Sequence, residues 1–250
     1  LVDMQGVISS DSSASAENVM AGLQEAFKNK HTQGVILRIN SPGGSPVQSG
    51  YINDEIRRLR ALHPNIPLYA VVEDICASGG YYAAVAADKI YVNKASMVGS
   101  IGVLMDGFGF TGTMDKLGVE RRLLTAGENK AFMDPFSPVD LRHKEFVKGM
   151  LTEIHQQFIT VVKQGRGNRL KETPDTFSGL IWTGQKSIEL GLADEMGSVE
   201  SVARDVIKAE DIVDYSNREG IADRLAKKFG AGMASALPGF SGLSHGMSLR

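Results

Sequence analysis

The chain predicts an α/β protein built on a parallel sheet, with repeated strand-helix crossovers and further helices toward its C-terminus. Three observations carry that prediction. Short apolar runs alternate with amphipathic helical stretches from residue 2 to residue 93, the pattern of parallel strands joined by crossover helices. Glycine-rich turns, SPGGS at 41–45 and SGG at 78–80, follow two of those runs closely, at the strand ends where open α/β sheets bind ligands. A 250-residue chain that is 42% hydrophobic and 22% charged also buries a large core as one domain with appendages.

Residues 2–8 read as the first strand. The helix after it places Val19, Leu23, Ala26 and Phe27 on one face, with Ser15 as its N-cap. Residues 34–40, GVILRIN, form a buried strand, and after SPGGS an amphipathic helix carries Ile52, Ile56 and Leu59 on its inner face. A third strand spans 67–73. Ser78 then opens a run of small residues and tyrosines, 79–87, that reads as a buried helix, before a fourth strand at 89–93. Ser137, Pro138 and Asp140 read as the cap, first turn and third position of a long helix. Its stripe of Val139, Phe146, Met150, Ile154, Phe158 and Val161 is wider than a single-layer core needs, with core the simpler assignment and an oligomer contact the alternative. Trp182 lies before a short helix and reads as a packing residue, with a place beside a substrate groove as the alternative. Ile221, Leu225 and Phe229 recur beside Lys227 and Lys228 and predict an amphipathic helix, followed by a loose tail rich in Gly, Ala and Ser at 230–243. The expected division is therefore a main domain over 1–210 and a helix with tail over 211–250.

The chemistry begins at Ser78. A strand, sharp turn and helix thrust its hydroxyl out of the backbone, while the first amides of the helix stay unpaired. Gly79 and Gly80 permit the tight turn and close approach of a substrate carbonyl. The amide of Gly44, at the end of a neighbouring strand, can join that of Gly79 in an oxyanion hole. Each feature has an ordinary structural alternative, since Ser-Gly-Gly and Pro-Gly also make plain turns. A serine nucleophile needs a base. The five histidines, at 31, 63, 143, 155 and 245, show no pairing with an acid that makes a triad, and read as surface residues. A lysine can serve if it is neutral, which asks its reference pKa of about 10.4 to fall by roughly three units in an apolar pocket. Lys130 is the candidate, because Leu123, Leu124, Ala126, Ala131, Phe132 and Met133 surround it in sequence. The single cysteine, Cys76, excludes an intrachain disulfide and reads as a packing residue.

The ordered set NSPGG at 40–44, ASGGYYAA at 77–84, VGSIGVL at 98–104, DKLGVE at 115–120 and GENKAFMDPF at 127–136 resembles the SppA signal peptide peptidase family. The likeness extends through WTGQKSIELGLADEMGS at 182–198 and thins after about residue 210. The resemblance implies a ClpP/crotonase-like fold and a serine endopeptidase with a Ser-Lys dyad. It makes Ser78 the nucleophile, Lys130 the general base 52 residues on, Ser100 the hydroxyl that orients the lysine, and the Gly44 and Gly79 amides the oxyanion donors. Without the resemblance, Ser100 reads as a strand-end serine that satisfies local backbone. Two positions depart from the family pattern: Cys76 stands where alanine is usual, and Asn129 precedes the lysine where an aromatic residue is often found.

The same resemblance implies peptide substrates such as remnant signal peptides, with small or apolar side chains at the cleaved position. It also implies a homo-oligomer whose serine and lysine can come from adjoining subunits. A membrane anchor upstream, in a segment not in this chain, would place the peptidase on the non-cytoplasmic side of a bacterial inner membrane. No metal or cofactor is required. A net charge of −2 gives no general attraction to nucleic acid or anionic lipid. Two alternatives share the fold: a crotonase-like acyl-CoA enzyme, in which Ser78 and Lys130 have no task, and a non-catalytic scaffold for membrane partners.

Overall fold

A computed structural model of the chain describes residues 1–217. The elements run β1 Val2–Gln5, α1 Ala16–Lys28, β2 Val35–Ser41, α2 Pro46–Leu62, β3 Leu68–Ala77, α3 Gly79–Ala84, β4 Lys89–Val92, β5 Met97–Gly99, α4 Thr111–Leu117, α5 Leu141–Arg166, β6 Ile181–Thr183, α6 Gly184–Glu189 and β7 Glu195–Met196. The sheet order is β1-β2-β3-β4-β7, all parallel, with β5 parallel to β3 and β6 antiparallel to β5. The expected α/β class with a mostly parallel sheet and strand-helix crossovers is what the chain adopts.

Local signals set most boundaries. The Ser15 side chain caps α1 by accepting from the Asn18 amide, and Ser45 caps α2 with Pro46 in its first turn, which satisfies amides the helix leaves unpaired. Strand β3 runs past the expected end at residue 73. It pairs with β4 over Tyr69–Val71, then with β5 over Ile75–Ala77. Glu73 and Asp74 sit where the partner changes, so they interrupt the apolar run without ending the strand.

The long helix differs from expectation in two ways. Asp140, not Ser137, is its N-cap, accepting from Arg142 N at 2.8 Å; Ser137 donates instead to Asp134. The hydrogen-bonded Arg142 guanidinium and, after it, the capping hydrogen bond from Arg142 N hold the Asp140 carboxyl down at about 2. The apolar stripe also divides: Phe158 is buried with Val162, whereas Val139, Phe146 and Met150 are exposed. Core packing therefore accounts for only the C-terminal half of the stripe.

Two anchors tie the sheet to these helices. Arg166, 1% exposed, ends α5 with paired hydrogen bonds to Asp194 (2.8 and 2.9 Å) and another to the Gly191 carbonyl. Burial pushes the Asp194 carboxyl up, but the Arg166 hydrogen bonds and charge, the Ile90 amide and Arg169 outweigh it, and the net shift is downward. From α3, the buried Tyr81 hydroxyl donates to the Leu192 carbonyl at 2.7 Å.

The compact unit extends to Ser216. Tyr215 N donates to Leu1 O, and Ser216 Oγ accepts from Asp3 N, so residues 215–216 lie along β1. The expected helix around Ile221, Leu225 and Phe229, and the tail after it, lie outside the described residues. Among the described residues, no helix is long and apolar enough to cross a membrane.

Candidate functional site

Ala77 of β3 and Gly99 of β5 are register partners. The residue after each is a serine, so Ser78 and Ser100 leave adjacent parallel strands at the same level of the sheet. Both have φ of 50°, a left-handed conformation that is uncommon for residues other than glycine and clusters at functional sites. Backbone bonds maintain each one: Ser78 N donates to Gly99 O (2.9 Å), and Ser100 N to Leu180 O (2.8 Å). Ser78 thus occupies a strand-to-helix elbow that turns its hydroxyl outward. Neither serine hydroxyl has a hydrogen-bond partner among the described residues.

Close packing at this elbow requires glycine. A Cβ on Gly79 would lie 2.3 Å from Ser49 Oγ, and one on Gly80 would lie 3.0 Å from the Ser41 carbonyl. Gly43, with φ of 96°, is also confined: its Cβ would meet Gly79 N at 2.6 Å and Ser78 Cβ at 2.8 Å. The SPGGS turn is therefore pressed against the Ser78 elbow. Ile8 fixes the far side of that turn, donating to Gly43 O and accepting from Ser45 N. The amides of Gly44 and Gly79 donate no hydrogen bond among the described residues, and both glycines line the same cavity as Ser78.

That cavity, about 590 Å³, is lined by Ser78, Ser100, Gly44 and Gly79 on its polar side. Tyr82, Val103, Leu104, Ile154 and Phe158 form its apolar side. The Tyr82 and Phe158 rings tilt against each other with centroids 5.1 Å apart, and burial raises the Tyr82 hydroxyl pKa. Two other cavities, of about 360 and 850 Å³, touch neither serine.

Four of the five expected site residues meet here; Lys130 does not. It is exposed, lies outside the cavity lining, and belongs to a long segment without burial: between Ile101 and Val147 no residue is buried. None of the apolar neighbours expected to shield the lysine is buried, and Leu124 is 96% exposed. This arm, residues 102–146, is nevertheless organised. Phe110 stacks on Phe136 (5.4 Å), Arg121 covers the Phe136 ring and pairs with Asp134, and Phe110 N donates to Pro135 O.

The remaining expectations resolve individually. Cys76 is buried in the core, and burial drives its thiol pKa upward, so it packs rather than reacts. Trp182 packs against the core from β6, its Nε1 buried without a partner among the described residues. His143 and His155 are half-buried rather than solvated; His155 Nε2–H donates to Ile101 O at 3.0 Å, next to Ser100. Sequence reasoning missed Tyr82 as a lining residue, although it lies one helical turn beyond Ser78 and so faces the same side. It assigned Ile154 and Phe158 to a core stripe, but their i,i+4 spacing also lets them wall the cavity.

Residues 60–212 match Peptidase family S49. A Brucella melitensis protein named Na(+)/H(+) antiporter NhaA is 47% identical over 182 residues, covering 73% of this chain but 25% of that protein. The antiporter name thus belongs to a chain that lies mostly outside the match. A putative signal peptide peptidase SppA from Enterococcus faecium is 31% identical over 210 residues, 80% of this chain and 59% of that one. The chain accordingly spans between 25% and 59% of the length of these curated relatives. Among solved structures, a ClpP1 mutant from Listeria monocytogenes superposes with a TM-score of 0.50 at 15% identity, covering 79% of this chain and 90% of that one. The fold is ClpP-like.

Proposed function

Because this chain belongs to peptidase family S49, we propose that it is a serine endopeptidase in which Ser78 is the nucleophile and Lys130 of a second copy is the base. The observation that carries the reading is the incomplete cavity. It offers a strained serine, a second hydroxyl and two amides unpaired among the described residues, while the lysine stands exposed on an arm whose apolar side chains the described residues leave without cover. Exposed apolar surface on that scale marks an interaction site. Seating the arm on another copy's cavity would shield the apolar residues and the amine together, and desolvation favours the neutral amine a base requires.

The reaction is acyl transfer. Neutral Lys130 accepts the Ser78 proton as Oγ bonds to the peptide carbonyl carbon. The carbonyl electron pair moves onto oxygen, where the Gly44 and Gly79 amides donate to it. Collapse of the tetrahedral intermediate breaks the C–N bond, and the lysine ammonium returns its proton to the leaving amine. Water then attacks the acyl-enzyme, giving its proton to Lys130, and Ser78 leaves reprotonated. Ser100, following the register partner of Ala77, orients the amine. The apolar wall of Tyr82, Phe158 and Ile154 suits an apolar side chain at the cleaved position, and remnant signal peptides are the proposed substrates. Anchorage outside the cytoplasm remains a proposal carried by the family resemblance.

The test uses a fluorogenic apolar peptide. Ser78→Ala and Lys130→Ala should each abolish cleavage, and wild-type kcat should rise with pH through a midpoint below about 10, as a lysine base shielded from water requires. A fluorophosphonate should label Ser78. Full activity in either variant overturns the assignment of that residue. A labelled, active Lys130→Ala protein would assign the base elsewhere.

A further inference from the structure

The turn that carries Lys130 is fastened to the start of α5 from both sides of the lysine. Before it, Glu128 pairs with Arg142 at 3.3 Å, and Asn129 Oδ1 accepts from His143 Nε2–H at 3.1 Å. After it, the Phe132 ring lies against the His143 ring with centroids 4.9 Å apart and meets Phe146 edge-on at 5.8 Å. Lys130 N closes the turn on Gly127 O at 3.1 Å. The Glu128–Arg142 pair is exposed on both partners, and such pairs contribute little. His143 differs because one half-buried side chain touches residues on both sides of Lys130, by a hydrogen bond to one and ring packing on the other.

We propose that His143 is a positioning residue for Lys130. This rests on the reading of Lys130 as the base. A proton acceptor on a long flexible side chain loses efficiency unless its backbone is presented in one orientation, and misplacement by about 1 Å can cost on the order of a hundredfold in rate. Asn129 offers a short amide with little packing area of its own, so the hydrogen bond from His143 fixes it. The Phe132 contact prevents the turn from rotating about that bond.

The test compares His143→Phe, which keeps a ring against Phe132 but removes the donor, with His143→Gln, which keeps an N–H for Asn129, and with Asn129→Ala. The full chain is assayed on the apolar peptide for kcat and KM separately, with sedimentation at assay concentration. The inference predicts that His143→Phe and Asn129→Ala each lower kcat roughly tenfold with KM unchanged within about twofold, and that the assembly stays intact. The double variant should be no slower than His143→Phe, because both substitutions remove one contact. His143→Gln should recover most of kcat. A wild-type kcat in His143→Phe, multiplicative losses in the double variant, His143→Gln as slow as His143→Phe, or a loss that tracks dissociation would each overturn it. Lys130→Ala separates the two levels: if it is inactive while His143→Phe is fully active, only the positioning role fails; if it is active, the base assignment fails first.

Discussion

From Val2 to Ile101 the chain buries most of its apolar residues against itself, and the core side chains of β2 and β3 are nearly inaccessible to water. From Gly102 to Phe146 it buries none, although Leu104, Phe108, Leu117, Leu124, Val139 and Phe146 lie within that span. The two regions have comparably apolar sequences and opposite fates. The body is a finished fold, in which the elbow at Ser78 is held by Gly43, Gly79, Ser49 and the Tyr81–Leu192 bond. The arm has its own internal ties, Phe110 to Phe136 and Arg121 to Asp134, but among the described residues it has no surface that buries it. Under the proposed function the nucleophile lies on the first region and the base on the second, which would make the assembly of copies part of the chemistry.

The largest expected effect breaks the body. Asp194→Ala would leave Arg166 charged and buried without its partner, a loss of about 3–5 kcal/mol of stability by chemical denaturation. The native carboxyl is held below its ordinary value. Its contribution is therefore fully present above the unfolded value of about 3.9 and lost as pH falls through the lower folded value. Wild-type stability should drop across that acid range, and the variant's should drop less.

Next in size is the elbow itself. In Gly43→Ala the new Cβ would press on Gly79 N at 2.6 Å from a backbone with φ of 96°, displacing an amide that the proposed mechanism uses. Losing one oxyanion donor costs on the order of 10²–10³ in kcat, and steady-state kinetics on the apolar peptide should read a loss of that order. An unchanged kcat would mean that the amide beside Gly43 takes no part in catalysis.

The smallest effect on folding should fall in the arm, and it sharpens the contrast. Leu124→Asp replaces a fully exposed residue, so the far-ultraviolet circular dichroism spectrum should remain native, as surface substitutions change stability by only about 0.5 kcal/mol. Sedimentation should nevertheless show smaller species, with activity falling in step. Unchanged assembly and activity would remove Leu124 from the interface.

The same contrast explains what the sequence made legible. Periodicity placed α1, α2, β2 and β4 closely, because their apolar faces are buried within the chain and the caps at Ser15 and Ser45 are local hydrogen bonds. Ser78, Gly44 and Gly79 were found because strand ends and glycine pairs leave local marks, Ser100 came only through the family resemblance, and the structure brings all four to one cavity. The expected burial of Lys130 is not met among the described residues, since apolar neighbours in sequence do not by themselves supply a surface that covers a side chain. The stripe on α5 was misread for the same reason, as Phe158 faces the core and Phe146 faces water. Tyr82 escaped notice because its neighbours Tyr81 and Ala83 are core residues, and the pattern does not distinguish a cavity wall from a core face.

The most direct measurement mixes two inactive proteins. Ser78→Ala chains retain Lys130, and Lys130→Ala chains retain Ser78, so neither can complete a site alone. If each site takes its serine from one copy and its lysine from the next, subunits unfolded and reassembled together in equal amounts should recover about a quarter of wild-type activity, the fraction of neighbouring pairs that carry both groups in a heterologous ring. A mixture that co-assembles and stays silent, beside an active wild type treated identically, would contradict the shared site.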